Sequence, residues 1–334
     1  MKTDIFTTFF LITMFFTACG KRPTVTENYQ NPLMRVSTPD PSILRDSDGY
    51  FYLYATEDIR NTPVFRSKNL VEWEQIGTCF TDETRPKWGT AEAGIWAPDI
   101  NKIDGKYVLY YTFAAPYCRG TCGIGVAIAD SPTGPFTDIG PIIQADSIGV
   151  LNSIDQCYVE DNGKKYIIWG SFEGIYAIEL TDNGLAIKPG AEKVKVAGGG
   201  YEASNILKRD GYYYYFASIE GCCAGAESTY KVVVGKADNL FGPYITRDGE
   251  SMMGYRPSVI LRGDTTFAGP GHNAEIVTDD EGQDWLLYHA FLKKEPHLGR
   301  LLCLDRLVWN NGYPEVATQT PSQTAKAPVF LHHN

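Results

Sequence analysis

The chain has 334 residues, including 21 Tyr, 16 Phe and 6 Trp, and its formal net charge is −10. This apolar content is enough to bury a large core, which excludes an intrinsically disordered protein. The 30 Lys and Arg residues are spread among 40 Asp and Glu residues. The chain therefore lacks the clustered basic side chains that hold a phosphate backbone, and we expect no nucleic-acid partner.

Residues 5–18 form an almost wholly apolar run that is too short to span a bilayer, which takes about 20 residues. Such a run, ending in small residues, is typical of a signal peptide. Residues 16–20 (FTACG) resemble a bacterial lipobox with Cys19 at the acylated position. We expect residues 1–18 to be a lipoprotein signal peptide and Cys19 to anchor the protein to the cell envelope, on its periplasmic or surface face. Simple secretion and a buried segment are the alternatives.

A polar stretch containing Pro follows at residues 20–32 (GKRPTVTENYQNP). Its composition suits a short tether. We expect it to connect the lipid anchor to a single folded domain over residues 33–330.

Seven cysteines remain beyond Cys19, and in an oxidising compartment some of them could pair. Because seven is odd, at least one thiol stays unpaired if all bridges are intramolecular. Cys118 and Cys122 could close a small loop, and the five His of the chain offer no second ligand pair for zinc. For most of them we expect buried, inert thiols. The seven are Cys79, Cys118, Cys122, Cys157, Cys222, Cys223 and Cys303.

One sequence pattern, the repeat phrase, recurs five times: a polar residue, a short apolar strand, a turn with Gly, and a strand rich in Tyr, Phe or Trp. The copies begin at Asp40, Asp99, Asp155, Glu202 and His272, at intervals of 59, 56, 47 and 70 residues. Asp-Gly or Asn-Gly between β-prone residues, present in four copies, predicts a tight hairpin. With three to four strands per copy and no amphipathic helix, the pattern predicts an all-β fold, a five-bladed β-propeller.

Two glycine-rich stretches could suggest phosphate-binding loops, one at residues 123–125 and one at residues 198–200 (GGG). A phosphate loop needs a following helix whose N-terminal amides face the ligand. Neither stretch is followed by a helical pattern, so we expect both to be turns.

In a propeller the first strand of each blade lines the central channel, so residues at its start meet at one mouth. The repeat phase therefore predicts that up to four carboxylates face one pocket beside His272: Asp40, Asp99, Asp155 and Glu202. Carboxylates so close, and partly removed from water, push their pKa values apart. One protonated and one ionised carboxyl group are what the cleavage of a glycosidic bond requires.

Several short stretches, in order across all five predicted blades, resemble glycoside hydrolase family 43 and, within it, the endo-arabinanase branch. They are residues 39–43 (PDPSI), 95–100 (IWAPDI), 152–155 (NSID), 169–172 (WGSF), 201–204 (YEAS), 222–225 (CCAG) with 228–230 (STY), 269–273 (GPGHN) and 288–290 (YHA).

The resemblance implies a role for each of three carboxylates. Asp40 corresponds to the general base that activates water, and Glu202 to the general acid that protonates the leaving oxygen. Asp155 corresponds to a third carboxylate that orients the acid and keeps its pKa high. The family inverts the anomeric centre, so we expect the carboxyl groups of Asp40 and Glu202 to lie about 6.5–9.5 Å apart.

The resemblance also implies that His272 faces a bound calcium ion or a water cluster near the pocket floor. Calcium prefers six to eight oxygen ligands, so we expect mostly waters around it, with His272 as the main protein contact. A hydrogen-bonded core histidine without metal is the alternative, and we expect no organic cofactor.

Sugar rings present flat C–H faces that pack against aromatic side chains. Trp96 and Phe113 stand in or shortly after the matched stretches, and we expect them to line the cleft. Asn152, Ser171 and Tyr230 are candidates for polar contacts to the substrate.

The predicted function is hydrolysis of α-L-arabinofuranosyl linkages by a monomeric enzyme, most directly by endo action on α-1,5-arabinan. The expected partner is a plant cell-wall polysaccharide or oligosaccharide, arabinan or arabinoxylan. Residues 222–225 and 228–230 favour the arabinanase branch. An exo-acting α-L-arabinofuranosidase or a β-xylosidase of the same family is one alternative. A non-catalytic glycan-binding propeller at the cell surface is another, against which the intact set of Asp40, Asp155 and Glu202 argues.

Overall fold

The computed structural model describes residues 26–115 and 120–331. These residues contain 23 strands and little helix, namely α1 (Ala145–Ile148) and two 3-10 helices, Gly225–Glu227 and Pro296–Leu298. No helix in this part of the chain is long and apolar enough to cross a membrane. The all-β class is confirmed, whereas the predicted signal peptide and Cys19 lie outside the described residues.

The strands follow one another along the chain and group into consecutive antiparallel sheets. A short strand, β1 (Asn28–Gln30), comes first. Blade 1 contains β2 (Ser42–Arg45), β3 (Phe51–Tyr54), β4 (Pro63–Ser67) and β5 (Glu74–Thr78). Blade 2 contains β6 (Gly94–Ile103), β7 (Lys106–Ala114), β8 (Gly123–Ala129) and β9 (Thr137–Gln144). Blade 3 contains β10 (Cys157–Asp161), β11 (Lys164–Trp169), β12 (Ile175–Glu179) and β13 (Val194–Ala197).

The last two blades complete the set. Blade 4 contains β14 (Tyr201–Arg209), β15 (Tyr212–Ile219), β16 (Lys231–Ala237) and β17 (Val259–Leu261). Blade 5 contains β18 (Phe267–Gly271), β19 (Val277–Thr278), β20 (Asp284–Leu292), β21 (Leu301–Asn310) and β22 (Tyr313–Val316), and β18 and β19 both pair with β20. The chain then forms β23 (Thr324–Lys326). The predicted five-bladed propeller is confirmed.

The core lies between the blades. Successive side chains of a strand point to opposite faces, so Tyr213 and Tyr215 of β15 pack against blade 3. Their neighbours Tyr214 and Phe216 pack against blade 5. Equivalent clusters join blades 1 and 2, 2 and 3, and 5 and 1, so the apolar contacts run around a closed ring. This is why the Tyr-rich second strands carry hydrophobic residues on both faces.

The N-terminal strand closes this ring. β1 pairs with β23, and Tyr29 is buried against Trp285 in the cluster between blades 5 and 1. The Tyr29 hydroxyl donates to the carbonyl of Leu304 at 2.6 Å. The expectation that the tether extends to residue 32 is therefore wrong at its C-terminal end, because residues 28–32 belong to the folded domain.

The predicted hairpin turns take two forms. In blades 2, 3 and 4 the turn has two residues, and both have positive φ, as at Asp104 (49°) and Gly105 (80°). That is the conformation for which Asp-Gly and Asn-Gly are suited. In blades 1 and 5 the turn is longer, and Gly49 and Gly282 have positive φ while the residues before them do not.

Every blade has a residue in the left-handed region, and these residues lie within β6 and β14, just before β2 and β10, and directly after β18. The five are Asp40 (φ 51°), Ala97 (40°), Asp155 (57°), Ala203 (55°) and His272 (46°). Non-glycine residues seldom adopt this conformation and tend to do so at functional sites. The kink turns the chain at the channel mouth and decides which neighbouring side chains face it.

Cys222 and Cys223, adjacent in sequence, form a disulfide in the loop between β15 and β16. The cysteine spacing did not predict this bond. Cys118 lies outside the described residues, so a loop closed by Cys118 and Cys122 stays a prediction. Within the part of the chain that the structure describes, Cys79, Cys157 and Cys303 are buried and outside any disulfide, as expected for inert core cysteines.

Candidate active site

The backbone kinks correct the repeat phase. Asp40, Asp155 and His272 occupy the kink positions of blades 1, 3 and 5, and Glu202 immediately precedes the kink of blade 4. Asp99 follows the kink of blade 2 by two residues, past a register shift in the pairing of β6 with β7. The mouth therefore brings together three of the four predicted carboxylates.

The prediction that Asp99 shares this pocket is wrong. Asp99 Oδ2 accepts the backbone N–H of Tyr158 at 2.6 Å, and its carboxyl group is hydrogen-bonded to that of Glu275 from blade 5. Burial raises the pKa of both groups, and the charge of Glu275 raises that of Asp99 further. Glu275 in turn accepts from the Ser42 hydroxyl at 3.0 Å and from the Ile43 N–H at 2.7 Å, so Asp99 and Glu275 form a structural pair that connects blades 1, 2, 3 and 5.

Asp40 is surrounded by cationic and hydrogen-bonding groups. Its Oδ1 accepts from Arg300 Nη1 at 2.8 Å and lies 3.2 Å from His272 Nδ1. Its Oδ2 accepts from the Thr56 hydroxyl at 2.6 Å. Burial opposes ionisation, but the charges of Arg300 and His272 outweigh burial and hold the pKa of Asp40 well below its usual range. Asp40 is a carboxylate at any pH near neutrality.

His289 fixes the backbone of Asp40 rather than its charge. His289 Nδ1 accepts the backbone N–H of Asp40 at 3.0 Å, so the ring proton is on Nε2. Full burial, together with the nearby Arg300, lowers the pKa of His289 well below its usual value. The imidazole is neutral, and its 3.3 Å contact with Asp40 Oδ1 is therefore not an ion pair.

Glu202 has the opposite environment. Burial, and then the charge of Asp155, raise the pKa of Glu202 to about 7. Ser171 Oγ donates to Oε2 at 2.7 Å and the Tyr230 hydroxyl donates to Oε1 at 2.6 Å, and both bonds oppose the rise. Gly271 allows this arrangement, because a Cβ there would overlap the Tyr230 ring. Glu202 is therefore protonated in a large fraction of the molecules at neutral pH.

Asp155 interacts electrostatically with both Asp40 and Glu202. Its Oδ2 accepts the backbone N–H of Ala203 at 3.1 Å, so it is attached to the residue that follows Glu202. Burial raises the pKa of Asp155, the charge of Asp40 adds to this effect, and His272 opposes it. The protonation states of Asp155 and Glu202 are consequently linked.

His272 faces Asp40 through Nδ1, and its backbone N–H donates to Ser218 Oγ at 2.9 Å. Burial opposes protonation of the ring, but the charge of Asp40 raises the pKa of His272 overall. Among the described residues, no group of three or more His, Cys, Asp or Glu side chains is arranged to hold a metal. The donor set does not form a calcium cage, and we assign no catalytic step to an ion.

The residues predicted to contact substrate fall into two groups. Ser171 and Tyr230 are buried and hold Glu202, so they act on the acid. Phe113 is 3% exposed and packs against Trp88 between blades 1 and 2, with 4.9 Å between the two ring centroids. It offers no exposed face to a sugar, contrary to expectation.

Trp96 and Asn152 are partly exposed at the mouth. Thr56 connects Trp96 to the base, because its hydroxyl accepts the backbone N–H of Ala97 at 2.7 Å while donating to Asp40. Asn152 Nδ2 donates to the Ser171 carbonyl at 3.4 Å. Their roles in substrate binding stay predictions.

Three residues of the site were not identified as functional from the sequence: Thr56, His289 and Arg300. His289 lies within the matched stretch 288–290, which could have drawn attention to it. Arg300 follows the second 3-10 helix and is 260 residues from Asp40 in the sequence. It belongs to no repeat position, so the sequence carried no signal for it.

A cavity of about 940 Å³ lies elsewhere, beside β23 and blade 5. Its lining includes Asp279, Asp305 and Trp285, and Asp279 already accepts from the Trp285 indole at 2.9 Å. It contains none of the matched carboxylates. The channel mouth, where the two carboxyl groups differ in pKa, is the better candidate site.

The fold and this set of carboxylates define the class of protein. The family model for Glycosyl hydrolases family 43 matches residues 29–314, and the chain belongs to this family. The match includes all five blades and the three carboxylates at the mouth.

Individual relatives carry more specific names. The chain is 30% identical over 291 residues to Extracellular endo-alpha-(1->5)-L-arabinanase 1 of Bacillus subtilis (strain 168), covering 82% of this chain and 86% of that protein. It is 29% identical over 310 residues to Extracellular exo-alpha-(1->5)-L-arabinofuranosidase ArbA of Cellvibrio japonicus (strain Ueda107), covering 84% and 87%. The structure of Cellvibrio cellulosa alpha-L-arabinanase complexed with arabinohexaose matches with a TM-score of 0.78 at 28% identity, covering 86% of this chain and 97% of that chain.

The environment of Glu202 predicts the pH dependence of kcat/KM, which reports the free enzyme. Activity should decline above about pH 7 as Glu202 loses its proton. In Asp155→Asn the negative charge that raises this pKa is absent, so the decline should move to lower pH. In Tyr230→Phe a hydrogen bond that lowers the pKa is absent, so the decline should move to higher pH. Shifts of both variants in the same direction would contradict this account.

Proposed function

We propose that this glycoside hydrolase cleaves internal linkages of α-1,5-linked arabinan, with inversion at the anomeric carbon. The observation that carries the proposal is the contrast between two carboxyl groups at one mouth. The pKa of Asp40 is held well below its usual range, and that of Glu202 is raised to about 7. One group can accept a proton while the other donates one.

The proposed reaction is a single displacement. Glu202 gives its proton to the glycosidic oxygen as the bond from the anomeric carbon to that oxygen breaks. A water molecule attacks the same carbon from the opposite face and gives a proton to Asp40. Glu202 ends ionised and Asp40 protonated, and exchange with solvent restores both. The predicted separation of about 6.5–9.5 Å between their carboxyl groups would leave room for the water.

The substrate is proposed from the relatives. The Bacillus protein is named as an endo-acting arabinanase and the Cellvibrio protein as an exo-acting arabinofuranosidase. We favour endo action because the Bacillus relative carries that name, and keep exo action as the alternative within the family. A non-catalytic glycan-binding role is disfavoured, because binding needs no separation of pKa values between Asp40 and Glu202.

Product analysis tests this function. Wild-type protein should release a series of short oligosaccharides from linear arabinan, whereas an exo enzyme would release one small product from the start. Glu202→Gln should lower kcat by on the order of 10³-fold, because the general acid is lost. Glu281→Gln, an exposed control at the blade 5 hairpin, should behave as wild type. Binding of arabinan without cleavage would support the binding-module alternative.

The stereochemical outcome is tested separately. Proton NMR of the first-formed product should show the anomeric configuration opposite to that of the substrate, before mutarotation. Retention would require a covalent intermediate on one carboxylate and would overturn the role given to Asp40.

The calcium ion is proposed as a structural or pocket-floor ion held mainly by water. Nδ1 of His272 lies against Asp40, so the ion would have to lie on the other side of the ring. Activity should then fall in EDTA and return with calcium. Full activity after exhaustive chelation would favour the hydrogen-bonded histidine without metal.

We also propose that the protein is exported and anchored through Cys19, which would hold it near polymeric substrate outside the cytoplasm. The names of both relatives describe them as extracellular. Expressed in a bacterium with its leader, the protein should partition with membranes, and Cys19→Ser should move it to a soluble fraction. Partitioning that does not depend on Cys19 would exclude a lipid anchor at this residue.

A further inference from the structure

Three large apolar side chains are exposed on chain segments that meet beside residues 198–200, between blades 3 and 4. Phe172 is 46% exposed, Met253 46% and Tyr255 51%. Adjoining apolar side chains left exposed on a folded surface often mark a binding site. We refer to these three residues as the acid-side platform.

The first member of the platform is held by the backbone next to the general acid. The N–H of Phe172 donates to the Tyr201 carbonyl at 2.8 Å, and the Phe172 carbonyl accepts from Gly200 N–H at 2.7 Å. Phe172 has a φ of 52°, a conformation that is strained for a bulky residue. The fold therefore holds the phenyl group in an exposed position, where burial does not offset the cost of the strained backbone.

The other two members pack against the glycine run at residues 198–200. The Tyr255 ring lies directly on Gly200, because a Cβ there would come within 2.5 Å of the ring. The Tyr201 hydroxyl donates to the Gly254 carbonyl at 2.9 Å, and Gly198 N–H donates to the Met252 carbonyl at 2.8 Å. The predicted turn at residues 198–200 thus supports the segment that carries Met253 and Tyr255.

The platform lies on the side of the mouth that belongs to Glu202. Ser171, which donates to Glu202 at 2.7 Å, directly precedes Phe172, and Tyr201 directly precedes Glu202. The base, Asp40, comes from blade 1. A general acid protonates the leaving oxygen, so the sugar units that depart extend past the acid and not past the base.

We propose that Phe172, Met253 and Tyr255 bind the arabinofuranose units on the leaving-group side of the scissile bond. This inference rests on the proposed function and deepens it. Aromatic faces and a thioether provide flat, apolar contact for sugar C–H groups at small entropic cost. The Tyr255 hydroxyl could donate to a sugar hydroxyl or to water. Such a platform favours substrates that continue beyond the cleaved bond, which is what endo action requires.

The test compares two substrates that differ in the leaving group. Debranched arabinan places sugars on the platform, whereas 4-nitrophenyl α-1,5-arabinotrioside places a nitrophenyl group next to Glu202 and no sugar beyond it. Phe172→Ala and Tyr255→Ala should each lower kcat/KM for arabinan about tenfold. With the nitrophenyl trioside, kcat/KM should stay within about twofold of wild type.

Tyr212→Ala is the matched control. Tyr212 is also exposed, at 38%, but it lies at the hairpin end of blade 4, opposite the mouth. It should leave kcat/KM unchanged on both substrates. On arabinohexaose labelled at the reducing end, the platform variants should also cleave closer to that end, because long leaving groups lose their contact.

Three results would overturn the inference. A loss on arabinan accompanied by a shift in the pH at which activity declines would show that Phe172 and Tyr255 act through Ser171 and Glu202, because a nitrophenyl leaving group needs little help from an acid. No loss on either substrate would show that the platform contacts no sugar. Conversion of a wild-type dimer to a monomer by Phe172→Ala, seen by light scattering, would assign the surface to a second copy. A wild-type protein inactive on both substrates would instead remove the proposed function itself, and this inference with it.

Discussion

The structure depends on keeping two carboxyl groups in opposite charge states at one buried mouth. Burial alone raises the pKa of both Asp40 and Glu202. Arg300 and His272 reverse this effect for Asp40, whereas the negative charge of Asp155 increases it for Glu202. A buried charge without partners costs several kcal/mol. The fold therefore has to deliver cations to one carboxyl group and withhold them from the other, although the two belong to blades of the same ring.

The left-handed kinks are how the fold achieves this. Each blade turns at the mouth through one such residue, and the kink determines whether a given side chain faces the mouth or the channel beyond it. Asp155 sits at a kink and reaches Glu202 through the backbone of Ala203. The strain at these positions is held by the apolar clusters between blades. Catalytic placement thus follows from ring packing, in which Tyr29 and β1 close the last gap.

The repeat phrase predicted the propeller, the hairpins and the three carboxylates, because period-two patterning and Asn-Gly or Asp-Gly turns act locally. The repeat pattern misplaced Asp99, because a backbone kink two residues earlier and a register shift change which side chains face the mouth. Neither feature can be recognised from the amino-acid composition. The repeat pattern gave no sign of Arg300, whose contact with Asp40 spans 260 residues. Phe113 was misread for a related reason: nearness to a motif says nothing about burial, and Trp88 packs against it.

The most direct test of the central claim is a carboxyl carbon NMR titration of the wild-type protein, assigned with Asp40→Asn and Glu202→Gln. We predict that Glu202 titrates near pH 7 and that Asp40 stays ionised well below pH 4, the usual range for an aspartate. The Glu202 resonance should also shift when Asp155 is replaced by Asn. If both carboxyl groups titrated together near pH 4, the mouth would not separate acid from base, and the proposed assignment of their roles would be contradicted.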